Sequence, residues 1–352
     1  MRLVTFETHD QDGVPPAAHH TFADEVLGRE ALDIGWHGRH RLGALLDGGR
    51  EDAQVVDLNR GLAVKLAFED VGAPEAEADS LLPGTMAAFL EHGEDAFRLA
   101  RECIDFVRAA LGRYDAPDLE RAGVVIPLGE VTLRAPVPRP GKIIGVARNY
   151  AAHAAEQGQQ EPPKEPVLFI KASSSVIGPD EDILLPKASS QVDYEGELGV
   201  VIGRRVRHVT SADALACVAG YLPANDVTAR DFQNVRGQHF LGKSCDGFAP
   251  MGPALVTADE IADPQDLEIR TRVSGQTRRS GSTGQMIFPV AELIAFASRL
   301  MTLEPGDVIL SGTPSGVGAA ASPPRWLADG DVVEVEIAGV GRLRNHVRGG
   351  AS

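Results

Sequence analysis

The segment Asp193-Tyr-Glu-Gly-Glu-Leu-Gly-Val-Val-Ile202 sets two carboxylates, Glu195 and Glu197, two residues apart and directly ahead of an apolar run. On a strand alternate side chains share a face, so both point the same way, about 7 Å apart, with Asp193 behind them. Two like charges buried together repel, and a divalent cation removes that repulsion. Carboxylate oxygens with no cysteine nearby favour Mg²⁺, Mn²⁺ or Ca²⁺ over Zn²⁺. Asn225-Asp226 offers a candidate third ligand in Asp226. The same alternation also fits a solvated edge-strand face, and the residues alone leave both readings open.

His153 and Glu156 are three positions apart in Arg148-Asn-Tyr-Ala-Ala-His-Ala-Ala-Glu156, and one helical turn makes them neighbours. A carboxylate beside an imidazole raises its basicity and fixes its tautomer, as a general base for water requires. The following Gln157-Gly-Gln-Gln-Glu-Pro-Pro-Lys-Glu-Pro166 is polar and proline-rich, the composition of a connection that could close over a substrate. An exposed helix with an ordinary His–Glu pair is the plain alternative.

The elements that must position these groups lie in a chain of 352 residues, long enough for two domains. Fifty acids against 34 bases give a net charge of −16, which argues against nucleic acid or an anionic membrane as partner. The acidity is uneven: residues 1–135 hold 25 acids and 13 bases, residues 136–352 hold 25 and 21. Cys103, Cys217 and Cys245 form no C-x-x-C, and neither a signal peptide nor a membrane span is visible, so a soluble cytoplasmic protein is expected. Three prolines within Arg134–Gly141 mark a linker, giving an acidic domain over 1–135 and a catalytic domain over 136–352.

In the first block the pattern predicts strands at Leu3–Phe6 and near Gln54–Leu58, and one helix over Met86–Leu111 with Phe97, Ala100, Ile104, Val107 and Leu111 on one face. Its histidines, His19, His20, His37 and His40, lack a ligand spacing. In the second block short β-branched runs recur at Lys142–Ala147, Val167–Lys171, Glu197–Ile202, Asp307–Leu310 and Asp331–Ile337, with helices at Ala212–Ala219 and Val290–Met301. Few βαβ alternations appear, so a mixed, β-rich and mostly antiparallel α/β domain is expected, with a smaller N-terminal α+β domain. Gly316-Val-Gly-Ala-Ala-Ala321 fits a dinucleotide signature, but the prolines after it break the required helix. No G-x-S-x-G elbow is present.

Taken in order, Gly145–Glu156, Asp193–Leu198, Asn225–Asp231, Gly242–Asp246 and Ser311-Gly-Thr-Pro-Ser-Gly316 resemble the fumarylacetoacetate hydrolase family across roughly Pro138 to Val347. The resemblance implies a mixed β-sandwich roll, a homodimer, and Mg²⁺ or Mn²⁺ held by Glu195, Glu197 and Asp226. It implies a 2-oxo or 2,4-dioxo acid substrate, His153 as base with Glu156 orienting it, and Lys243 near the developing negative charge. Arg148, Tyr150, Gln233 and Thr313 become substrate-binding residues, with Thr313 facing a substrate carboxylate. Arg148 resembles the acylpyruvate-cleaving branch, whereas Arg279, Gln285 and Cys245 depart from the family's common Gln, Asp and Phe. The helix expected from Met86 has no counterpart in the resemblance.

The expected reaction is C–C hydrolysis of an acylpyruvate- or fumarylacetoacetate-type 2,4-dioxo acid. The alternative is isomerisation or decarboxylation of a 2-hydroxymuconate-type compound in aromatic catabolism. A non-catalytic 2-oxo acid binding protein would need the carboxylates without the base.

Overall fold

A computed structural model describes residues 1–8, 40–46, 53–113, 116–156, 161–233 and 238–349. The chain divides into two compact units, Met1–Arg134 and Ala135–Ser352. In the first, antiparallel strands run in the order Val125–Pro127, Gln54–Asp57, Arg41–Leu46, Arg2–Thr8, and Val131–Arg134 also pairs with Arg2–Thr8. The helices Leu58–Phe68 and Glu94–Leu111 cross closely at Gly61, where a Cβ would come within 2.6 Å of the Cys103 sulfur.

The single helix expected over Met86–Leu111 is two, Met86–His92 and Glu94–Leu111. Gly93, at φ +63° and ψ −143°, takes a conformation open to glycine and turns the chain between them. Ala100, Ile104 and Val107 are buried as expected, but Phe97 and Leu111 are only half-buried and Ala96, Cys103 and Ala110 complete the face. Of the four histidines, His40 pairs with Glu7 at 2.9 Å, while His19, His20 and His37 lie outside the described residues.

The second unit is mixed and sheet-rich, as expected. One sheet runs Leu255–Thr257, Val218–Asn225, Gly196–Ile202, Val308–Leu310, Ile143–Ala147, Val167–Lys171, antiparallel except where Val308–Leu310 meets Ile143–Ala147. A five-stranded sheet runs Gln276–Ser282, Glu268–Val273, Val332–Ile337, Gly341–Gly349, Asp182–Leu185. Leu198, Val200 and Ile202 from the first sheet share a buried core with Ile269, Val335 and Ile337 from the second, and the helix Val290–Leu300 adds Leu293, Ile294 and Ala297.

Two expectations change here. The helix over Ala212–Ala219 is a single turn, Ser211–Ala214, followed by a tight turn Leu215–Cys217; Val218 and Ala219 already belong to the strand Val218–Asn225. That strand pairs with the carboxylate strand along its length, Gly196 opposite Asn225 and Glu197 opposite Ala224. The carboxylate strand is therefore central and wholly buried, not a solvated edge, which accounts for its unbroken apolar run. It also begins at Gly196: Asp193 closes a separate two-residue strand, Val192–Asp193, and Glu195 lies in the break between them. Gly196 lets the chain press onto the second sheet, since a Cβ there would come within 2.2 Å of Thr271 Oγ1.

Candidate active site

At the end of the carboxylate strand a cavity of about 480 Å³ is lined by His153, Glu195, Glu197, Asp226, Arg230 and Lys243, among others. Glu195, Glu197 and Asp226 each offer one oxygen, and these atoms lie within 4.8 Å of one another. The break at Tyr194-Glu195 brings the two glutamates together. Backbone bonds lock it: the Glu195 N–H donates to Asn225 Oδ1 at 2.9 Å, and the Asp226 N–H donates to the Glu195 carbonyl at 2.8 Å.

Cations are shared unequally among the three carboxylates. Lys243 Nζ donates to Glu195 Oε2 at 2.6 Å and to Asp226 Oδ2 at 2.5 Å; Lys171 Nζ donates to Asp226 Oδ1 at 2.6 Å. Arg230 joins Glu195 Oε1 at 2.6 Å to Asp193 Oδ2 at 2.9 Å. Burial opposes ionisation of Glu195, but Arg230 and Lys243 outweigh it and hold the carboxyl well below the usual range. Glu197 receives the Gly312 N–H at 2.7 Å, and among the described residues no basic side chain pairs with it. Burial, then the charges of Asp226 and Glu195, push its carboxyl well above the usual range. A buried carboxylate facing two others without its own cation, in an all-oxygen donor set, fits a hard divalent ion.

His153 stands over this triad on the short helix Ala151–Glu156, with Nε2 3.8 Å from Glu195 Oε1 and only 3% of the residue exposed. Burial lowers its pKa, and Arg279 and Arg230 push the same way, so the imidazole is held neutral against the pull of Glu195. Glu156 Oε2 lies 3.4 Å from Nδ1, and both Glu156 oxygens accept the Gly316 N–H, at 2.8 and 3.1 Å.

Most other expected residues also reach the cavity. Arg148 lines it from a left-handed backbone position, φ +57°. Gln233 lines it and accepts from Arg230 Nη1 at 3.1 Å. Thr313 lines it, but its hydroxyl donates to the Gly196 carbonyl at 2.9 Å and is engaged with the backbone. Tyr150 is not on the cavity wall: its ring packs in the apolar core with Leu198, Val200 and Met286. Its hydroxyl is buried without a hydrogen-bond partner among the described residues, and burial and then the charge of Glu197 raise its pKa. Of the polar connection expected after Glu156, residues 157–160 lie outside the described residues.

Asp193, expected behind the glutamates, anchors the site from below. It accepts from Arg230 and from the Gly318 and Ala319 N–H groups at 2.8 and 3.1 Å. The glycine-rich 316–321 stretch thus presents its N–H groups to the chain's own Glu156 and Asp193. A Cβ on Gly318 would come 1.9 Å from the Arg325 carbonyl and 2.7 Å from Asp193 Oδ1. Gly318→Ala is expected to destabilise the protein by about 1–3 kcal/mol, read as a lower denaturant midpoint.

Lys171, Arg230, Phe169 and His239 belong to the site without having been singled out. Lys171 closes an apolar strand and Arg230 sits inside a quoted motif, so each left a faint trace in the sequence. Phe169 and His239 left none.

Sheet architecture, buried carboxylate triad and adjoining His–Glu pair together define an enzyme of the fumarylacetoacetate hydrolase family. The family model "Fumarylacetoacetate (FAA) hydrolase C-terminal" matches residues 142–348, and the chain belongs to that family. It is 46% identical over 271 residues to the human protein named oxaloacetate tautomerase FAHD2A, mitochondrial, a match covering 76% of this chain and 81% of that one. It is 37% identical over 314 residues to oxaloacetate tautomerase YisK of Bacillus subtilis, covering 88% and 97%. The solved fumarylacetoacetate hydrolase of the psychrophile Exiguobacterium antarcticum superposes with a TM-score of 0.68 at 35% identity over 99% of both chains. No helix among the described residues is long and apolar enough to cross a membrane.

Proposed function

We propose that this protein is a divalent-metal-dependent tautomerase that interconverts the enol and keto forms of oxaloacetate. The observation that carries the reading is the secluded neutral base: His153 is buried, turned toward the carboxylate triad, and able to exchange a proton without an attacking water. The relatives named as oxaloacetate tautomerases support it.

Glu195, Glu197 and Asp226 would hold Mg²⁺ or Mn²⁺, which when bound supplies the positive charge that polarises a 2-oxo group. In the keto-to-enol direction His153 accepts a proton from C3 of the substrate, and Glu156 stabilises the imidazolium that results. Negative charge then grows on the 2-oxo oxygen, where Lys243 is the nearby ammonium. The imidazolium of His153 then passes that same proton to the oxygen, giving the enol and a neutral imidazole; in reverse His153 takes the proton from the enol oxygen and delivers it to C3. The burial of His153 and of all three carboxylates limits their contact with bulk water during the exchange.

Hydrolysis of an acylpyruvate is the second reading, favoured by one observation, the His153–Glu156 pair that could equally orient a base toward water. Following enol oxaloacetate by its ultraviolet absorbance, with and without Mg²⁺ or Mn²⁺, tests the choice. Metal-dependent acceleration of enol loss without release of pyruvate is expected. Release of pyruvate and an acid from acetylpyruvate, with no effect on oxaloacetate, would overturn tautomerisation in favour of hydrolysis. Glu156→Gln, which weakens the orientation of His153, is expected to lower kcat about 10- to 100-fold in the same assay.

A further inference from the structure

We propose that His239 is a specificity-determining residue that hydrogen-bonds the far end of the substrate, and that the group it reads there is a second carboxylate. The inference deepens the 2-oxo acid reading of this site and rests on it. His239 and Lys243 open and close the short helix His239–Lys243, four residues apart and therefore on one face, and both line the cavity. Lys243 is fixed at the triad by Glu195 and Asp226. His239 consequently stands one helical turn from the triad, beside the part of a ligand remote from its 2-oxo end.

Among the described residues the imidazole is placed by stacking. Its ring lies on Phe169 with centroids 5.5 Å apart and planes 30° from parallel, and Lys243 Nζ lies 4.9 Å from the centre of the same phenyl ring. Phe169 in turn rests on Gly145, where a Cβ would meet its ring atoms at 2.1–2.8 Å. Only a glycine there admits the ring, so the surface that carries the imidazole is built in. Neither ring nitrogen of His239 is hydrogen-bonded to a described residue, and Nδ1 is fully enclosed. With Nδ1 enclosed and without an acceptor among the described residues, the neutral ring carries its proton on Nε2, the nitrogen left for a ligand in the cavity.

The chemistry of that ligand follows from the neighbours. Arg148 lines the same cavity, and burial together with the charges of Lys243 and Arg148 keeps His239 neutral, so the ring offers an N–H. Two cations repel an ammonium substituent, and an apolar tail would leave the imidazole unsatisfied. A carboxylate satisfies both Arg148 and the imidazole N–H.

The test is calorimetric binding of malate, a 2-hydroxy dicarboxylate, and lactate, its monocarboxylate counterpart, to the Mn²⁺-loaded parent, His239→Ala and His239→Gln. The parent is expected to prefer malate, His239→Ala to lose about tenfold of that preference, and His239→Gln, which retains an N–H donor, to regain most of it. In oxaloacetate turnover the loss in His239→Ala should fall on KM and not on kcat. An unaltered malate-to-lactate preference in His239→Ala, or no malate binding by the parent, would overturn the proposal. A parent that binds malate through His239 yet leaves enol oxaloacetate untouched would sink the tautomerase reading and keep this one.

Discussion

Glu197→Gln is expected to lose on the order of 10³-fold in metal-dependent turnover while the metal-free protein becomes more stable. Both halves follow from one arrangement. Among the described residues Glu197 is the triad member with no cation of its own, held by a single backbone N–H and facing Glu195 and Asp226 in a buried setting. Its ionised form is penalised in the folded metal-free chain, where burial and then the neighbouring charges raise its pKa. An acid raised in this way binds its proton more tightly folded than unfolded. The metal-free protein therefore loses stability as pH climbs from the ordinary glutamate range toward the raised value, and at neutral pH the penalty is in force. Glutamine keeps the shape and removes the charge, so the metal-free melting temperature should rise by about 2–4 °C for each kcal/mol recovered. The parent should gain stability on adding Mn²⁺ and the variant should gain far less, since binding to the folded state alone stabilises it. Scanning calorimetry on both proteins, with and without Mn²⁺, reads all four values. A variant that keeps full activity in the presence of a chelator would show that the triad does not serve a metal.

How much of this was legible in the sequence depends on what kind of pattern each residue left. Five short motifs in order carried the family, and the Glu-Gly-Glu spacing around Gly196 pointed to two of the three carboxylates, although a break in the strand at Glu195, and not a continuous side-chain period, brings them together. What stayed hidden were groups placed by non-local pairing. The strand Val218–Asn225, which delivers Asn225 and Asp226 beside Glu195, contains Gly220 and Pro223 and follows a helix-forming Ala-rich stretch, so local propensity obscured it. Lys171 reads as the polar end of an apolar strand; only the fold shows it fully buried against Asp226. Tyr150 stands differently from its motif neighbour: the chain turns at the left-handed Arg148, and the Tyr150 ring packs in the core while Arg148 lines the cavity. Arg279, legible only as a departure from the family's usual residue, is 2% exposed, its Nε and Nη1 directed at the carbonyls of Ser315 and Tyr194 at 3.3 and 3.4 Å. No spacing rule announces a buried arginine that joins two loops through their carbonyls.

Replacing His153 with alanine should separate the base from the metal more sharply than any other substitution. His153 touches the triad only at a distance, 3.8 Å from Glu195 Oε1, and Glu195 keeps Arg230 and Lys243 when the imidazole is gone. Mn²⁺ affinity should stay within about threefold of the parent, because no oxygen donor is lost. Turnover should fall by about 10²–10⁴-fold, the usual contribution of a positioned general base, and the loss should lie in kcat. The side chain is buried on a six-residue helix that Glu156 ties to the Gly316 N–H, so the tether outlives the substitution and folding should be little affected. Imidazole added to the solution can enter the vacated volume and should restore part of the rate, an effect that a structural role would not produce. A His153→Ala protein that turns over within tenfold of the parent would assign proton transfer elsewhere. Weakened Mn²⁺ binding would instead make the histidine part of the metal site.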